Sequence, residues 1–139
     1  MNGLLKMLCI EIIRHNHASL NTNFISHQMN SSDRLVNDAI AYIQNHIKEN
    51  ITVDLLANQF NVSNNYLYKS FIKVLHISPK DFIKKQRLAL CIDMIISNAY
   101  TMEEIASELN FTSAIHFSKF IKKETGYSPK QYQKKMLNE

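Results

Sequence analysis

The chain has 139 residues, 45% of them apolar, with 16 Lys and Arg against 12 Asp and Glu for a formal charge of +4. That composition supports one domain or two very small ones with a closed core, and it excludes a disordered or fibrous chain. Two glycines and two prolines lie far below the average usage of about 7% and 5%, which argues against a loop-rich β-sandwich and against a glycine-rich phosphate cradle, and leaves an all-α protein as the expectation.

Residues 1–30 open with an amphipathic stretch, LLKMLCIEIIR, followed by a polar linker from His15 to Asn30. Lys6 and Glu11 interrupt the apolar stretch and no small-residue cleavage site follows, so it does not resemble a signal peptide. It fits the end of a regulatory or dimerisation domain, an extra N-terminal helical segment. No uninterrupted apolar run exceeds the five residues from Leu88 to Ile92, against the roughly 20 that span a bilayer, so a cytoplasmic chain without a membrane partner is expected. Cys9 and Cys91 have neither CxxC nor Cys/His ligand spacing and are expected as reduced core thiols. His15, His17 and His27 lack second ligands at fixed spacing, so no metal or other cofactor is expected.

Arg34 to Lys48 predicts an amphipathic helix capped by Ser32 or Asp33, with Val36, Ile40, Ile43 and Ile47 as its core stripe. Beyond it the sequence repeats. Tyr66 to Pro79 (YLYKSFIKVLHISP) lies over His116 to Pro129 (HFSKFIKKETGYSP) at a constant offset of 50, and the only two prolines align, each after a serine and before a lysine. Upstream the offset is 49: DLLANQFNVS (Asp54 to Ser63) lies over EEIASELNFT (Glu103 to Thr112), so one extra residue enters the second copy. Self-similarity of this kind marks a duplicated supersecondary unit.

Thr52 can cap a short helix to about Phe60, and Thr101 with Glu104 forms a capping box for its counterpart. Asn61 and Asn110 supply left-handed residues that end those helices, and Ser63 and Thr112 can cap a second helix a few residues later, which is helix-turn-helix spacing. At 100° per residue, Leu67, Phe71 and Val74 share the inner face of the first unit's second helix, with Asn65, Lys69 and Ile72 opposite, flanked by Tyr68 and Lys73. In the second copy Phe117, Phe120 and Ile121 point in, and Ile115, Lys119 and Lys122 point out, flanked by His116 and Ser118. Between the units Pro79 opens a helix to about Ser97, apolar nearly all round, whose length of about 27 Å is comparable with the 34 Å separating successive major-groove faces of B-DNA.

Twelve of the sixteen cations fall in two blocks, Lys69, Lys73, Lys80, Lys84, Lys85 and Arg87 in one, Lys119, Lys122, Lys123, Lys130, Lys134 and Lys135 in the other. Basic blocks at equivalent places in a duplicated helix-turn-helix point to double-stranded DNA. Phosphates are expected at the helix N-termini at Thr52, Ser63, Thr101 and Thr112 and at Lys73, Lys80, Lys122, Lys123 and Lys130. No Ser/His/Asp order, paired carboxylates or P-loop suggests an enzyme. The alternative is a helical protein-interaction module that meets an acidic partner.

The elements Ile105, Ala106, Leu109 and Phe111, the run from Phe117 to Pro129, and Arg87 at the connecting helix resemble the DNA-binding domain of the AraC/XylS family of bacterial transcription regulators. The resemblance covers about Arg34 to Lys135. It implies a homeodomain-like fold of seven helices: a first helix-turn-helix over 51–78, a linker helix over 79–98, a second helix-turn-helix over 101–128 and a C-terminal helix over 129–137, within a domain over 31–139. It implies base reading by Asn65, Tyr68 and Lys69 in the first unit and by Ile115, His116, Ser118 and Lys119 in the second, with RNA polymerase as the protein partner and no small-molecule effector site in this fragment. The chain departs from the family at His76, where Gly126 stands in the second copy, and at Lys69 and Lys119, which replace the usual arginine and lose its planar fork.

Overall fold

A computed structural model describes residues 30–138, and the N-terminal segment with Cys9, His15, His17 and His27 lies outside them. Seven helices and no strands occur among the described residues: α1 (Ser31–Asn45), α2 (Val53–Gln59), α3 (Asn64–Leu75), α4 (Pro79–Ser97), α5 (Met102–Glu108), α6 (Ala114–Thr125) and α7 (Pro129–Leu137). They form two units. The first holds the described residues up to His46 together with Ile51–Lys85, and the second holds Ile47–Asn50 together with the described residues from Gln86 onward.

In the first unit α1 packs on α3, and Leu35, Val36, Ala39 and Ile43 meet a core with Leu56, Ala57, Leu67 and Phe71. The helix starts and stops earlier than the hydrophobic stripe suggests. Its cap is Asn30, not Ser32 or Asp33, and Asp33 instead turns back so that its carboxylate accepts the Asn30 backbone N–H at 3.2 Å. Ile47 lies past the last turn and belongs to the second unit, Ile40 is half-buried, and Leu35 and Ala39 complete the buried stripe with Val36 and Ile43.

Both helix-turn-helix elements are built by the same hydrogen bonds. The Thr52 hydroxyl accepts the Leu55 N–H at 3.1 Å and so caps α2. At the far end Asn61 takes φ +53°, its N–H reaches the Asn58 carbonyl, and the Val62 N–H reaches the Ala57 carbonyl at 3.0 Å. This pair of bonds is a Schellman motif, which satisfies two carbonyls that a helix end otherwise leaves bare. In the second unit Asn110 (φ +56°), Ser107, Phe111 and Ala106 make the same two bonds. The alanines at equivalent places are buried in both copies.

The extra residue of the second copy is Thr112. Up to Phe111 the copies match at 49, but α3 is capped by Ser63 and α6 by Ser113, whose hydroxyl accepts the His116 N–H at 3.1 Å, an offset of 50. Thr112 is therefore not the cap expected from the sequence: the register changes before it, and its hydroxyl lies 3.1 Å from His116 Nδ1 instead.

The second helices end in left-handed residues in both copies, His76 at φ +59° and Gly126 at φ +85°. A side chain there costs about 1–2 kcal/mol, which glycine escapes. Pro79 and Pro129 then open α4 and α7, with Ser78 and Ser128 accepting the Asp81 and Gln131 backbone N–H groups at 3.1 and 3.3 Å. Phe82 in α4 meets Phe71 edge-on at 5.8 Å, and Tyr132 occupies the matching place in α7.

The core of the second unit combines Ile95, Ile105, Leu109, Phe117, Ile121 and Tyr132 with a ring cluster in which Phe111 contacts Phe117 and Phe120. Arg87 is half-buried beside it. One guanidinium nitrogen donates to the Leu109 carbonyl, the other to the Glu49 carbonyl at 3.3 Å, and its carbon lies 4.5 Å from the Phe111 ring centre. The strap 47–50 is held further by Asn110, which donates to the Lys48 carbonyl at 2.8 Å, and by the Lys48–Glu108 ion pair. Cys91 is fully buried, and burial pushes its thiol up to about 12. Tyr132 is buried, whereas Tyr127 is exposed, with the Lys135 ammonium over its ring at 4.5 Å. No described helix is long and apolar enough to cross a membrane.

Candidate nucleic-acid interface

The fold of each unit turns one side of its second helix outward. On α3, Leu67 and Phe71 are buried and fix the helix rotation, which leaves Asn65, Tyr68 and Lys69 in solvent over the first turns. Tyr68 is 50% exposed. Ile72 and Lys73 continue the same side toward the helix end. Tyr66 is turned away from this group, with its hydroxyl 3.4 Å from that of Ser31 on α1. Thr52 and Ser63 are exposed caps, and Lys80 is exposed on the first turn of α4.

On α6, Phe117 and Ile121 fix the rotation in the same way, and Ile115, His116, Lys119, Lys122 and Lys123 are exposed. Ser118 is half-buried. His116 stands edge-on to Phe111 at 5.8 Å, and with Thr112 at its Nδ1 the ring is held from two sides. Lys130, on the first turn of α7, lines a groove together with Ile115, Ser118, Lys119 and Lys122. Met102, the first residue of α5, lines it as well. The helix face gave no signal for this contribution, because Met102 comes from another element.

The nine expected phosphate positions differ in what surrounds them. Lys73, Lys80, Lys122, Lys123 and Lys130 are all exposed. Thr101 is the least suited, because the first turn of α5 carries Glu103 and Glu104, and the Glu104 carboxylate already accepts the Thr101 N–H at 2.7 Å. The basic block of the first copy is also smaller than the sequence suggests. Arg87 is engaged with two carbonyls, and Lys84 lies 3.7 Å from the Asp81 carboxylate. The exposed cations of these surfaces are thus lysines on α3, α4, α6 and α7.

A family of helix-turn-helix domains matches residues 56–135. The HTH-type transcriptional regulator YdiP of Escherichia coli K12 is 26% identical over 106 residues, which cover 76% of this chain and 35% of that protein, so the chain spans about a third of its length. The regulatory protein SoxS of Escherichia coli K12 is also 26% identical over 106 residues, here covering 76% of this chain and 99% of SoxS. Among solved structures, the C-terminal domain of AraT, a response regulator from Geobacillus stearothermophilus, superposes with a TM-score of 0.69 at 29% identity over 76% of this chain and 88% of that one. The chain belongs to the AraC family of helix-turn-helix transcription regulators.

Proposed function

We propose that this chain binds double-stranded DNA at a specific sequence and thereby regulates transcription in the cytoplasm, with α3 and α6 entering adjacent major grooves and RNA polymerase as the protein partner. The observation that carries the reading is the match between two units: equivalent helices, capped and rotated by equivalent residues, present polar and basic side chains from their first turns outward. A helix presented in that way fits the major groove, where donors and acceptors on base edges differ from pair to pair. Asn65, Tyr68 and Lys69 read bases in the first site, and Ile115, His116, Ser118 and Lys119 in the second. The exposed lysines and the caps at Thr52 and Ser63 hold phosphates and set the register. The role is one of binding; no catalytic step is assigned to any residue.

Titrating a duplex pool with the full chain at several salt concentrations tests this. Neutralising about six phosphates gives a slope of log K against log[salt] of about −5. An affinity that does not change with salt contradicts a phosphate-held complex.

A further inference from the structure

Ile115 is 69% exposed, more than any other large apolar side chain among the described residues, and it sits on the first turn of α6. It does not stand alone. With Met102 and Ala114 it lines a groove of 440 Å³ that Lys119, Lys122 and Lys130 also line. All of these belong to the second unit. Apolar side chains and three ammonium groups on one groove suit a ligand that carries negative charge and also presents a small apolar group. Glu103, also on the groove, sits beside Met102 and leaves the lysines in excess.

We propose that Ile115 is a specificity-determining residue that reads the C5-methyl group of a thymine. The inference rests on the DNA reading above and names the base. In the major groove only thymine shows a methyl group; guanine, cytosine and adenine show donors and acceptors alone. A branched side chain without donors or acceptors gains nothing from those three and strips water from their polar edges. Against a thymine methyl it buries one carbon-sized group, a gain of about fourfold in affinity. Lys119, one turn further along α6, and Lys122 then lie where an adjacent acceptor or the flanking phosphates are met.

The test starts from duplexes that the full 139-residue chain selects out of a random library. Each thymine of the selected site is replaced in turn by deoxyuridine, which removes the methyl and leaves the pairing edge unchanged. The expected result is one thymine at which this change weakens binding by about fourfold, and at which Ile115→Ala binds the thymine and deoxyuridine duplexes equally. Ile115 is largely in solvent, so the substitution leaves the core in place, and an unchanged helical circular dichroism spectrum verifies the variant. Indifference to deoxyuridine at every position overturns the inference, as does a sensitive thymine whose effect survives in Ile115→Ala. If the chain selects no duplex at all, the DNA reading itself fails; if it selects duplexes without methyl dependence through Ile115, the DNA reading stands and this inference falls.

Discussion

Arg87 lies in a basic block and yet is committed to the protein interior, so its replacement separates stability from DNA contact. Arg87→Ala removes the donor to the part-buried Leu109 carbonyl, the donor to the more exposed Glu49 carbonyl, and the guanidinium stacked 4.5 Å from the Phe111 ring centre. Hydrogen bonds from a charged donor contribute about 1.5–3 kcal/mol each, with the solvent-accessible one near or below the lower end. The ring contact contributes about 0.5–1 kcal/mol. The expected loss is about 3 kcal/mol for the second unit, read from urea denaturation of the full chain with the slope of the transition compared between variants. Arg87→Lys recovers only about 1 kcal/mol, because an ammonium reaches one carbonyl and has no plane to lay on the ring. At temperatures where both forms are folded, the salt slope of DNA binding is unchanged. A loss below about 0.5 kcal/mol, or a lysine variant as stable as the parent, refutes the assignment of Arg87 to the strap and the α5 end.

Three further outcomes follow from the capping and core geometry. Ser113→Ala costs about 1 kcal/mol in thermal or urea denaturation, whereas Thr112→Ala costs less than half of that; the reverse order places the cap where the 49-residue offset puts it. His76→Gly stabilises the first unit by about 0.5–1 kcal/mol, since relief of a left-handed side chain at φ +59° exceeds the entropy that glycine adds to the unfolded chain, and a destabilised variant contradicts that balance. Tyr132→Phe is neutral or stabilising by up to about 1 kcal/mol, because the buried Tyr132 hydroxyl has no partner among the described residues while Phe82 fills the equivalent place without one; a loss above about 1 kcal/mol points to a partner for that hydroxyl.

Much of this fold is legible in the sequence because its punctuation is local. Thr52, Thr101, Asn61, Asn110, Pro79 and Pro129 each act on backbone groups within a few residues, so their types and spacing state where helices begin and end. The same is true of the inner faces of α3 and α6, where Leu67, Phe71, Phe117 and Ile121 follow helical periodicity. What is not legible depends on contacts across sequence distance. Serine and threonine can both cap a helix, so the Schellman turn that precedes Thr112 and Ser113 fixes which of them does. The start of α1 turns on one carboxylate folding back to Asn30, and Ile47 leaves the expected stripe because residues 47–50 are held by Arg87 and Asn110.

The outward residues of the interface could be read from a helical wheel, since solvent exposure is what remains once the core face is fixed. The groove beside Ile115 could not, because Met102 and Lys130 reach it from α5 and α7. Nor does the charge count along the chain distinguish Arg87, spent on carbonyls, from Lys69 or Lys119, which stand in solvent. Their difference is one of burial.

In the proposed complex, α3 and α6 of one chain read two separate parts of one site. Missing-contact footprinting of the full chain on its selected duplex measures this directly, with Lys69→Ala and Lys119→Ala compared against Lys123→Ala. The expected result is a non-palindromic site with two determinants about one helical turn apart. Lys69→Ala erases protection and base preference at one determinant and Lys119→Ala at the other, each at a cost of about 1–3 kcal/mol, while Lys123→Ala weakens specific and random duplexes alike. A single determinant lost in both variants, or equal losses on specific and random DNA for all three, contradicts it.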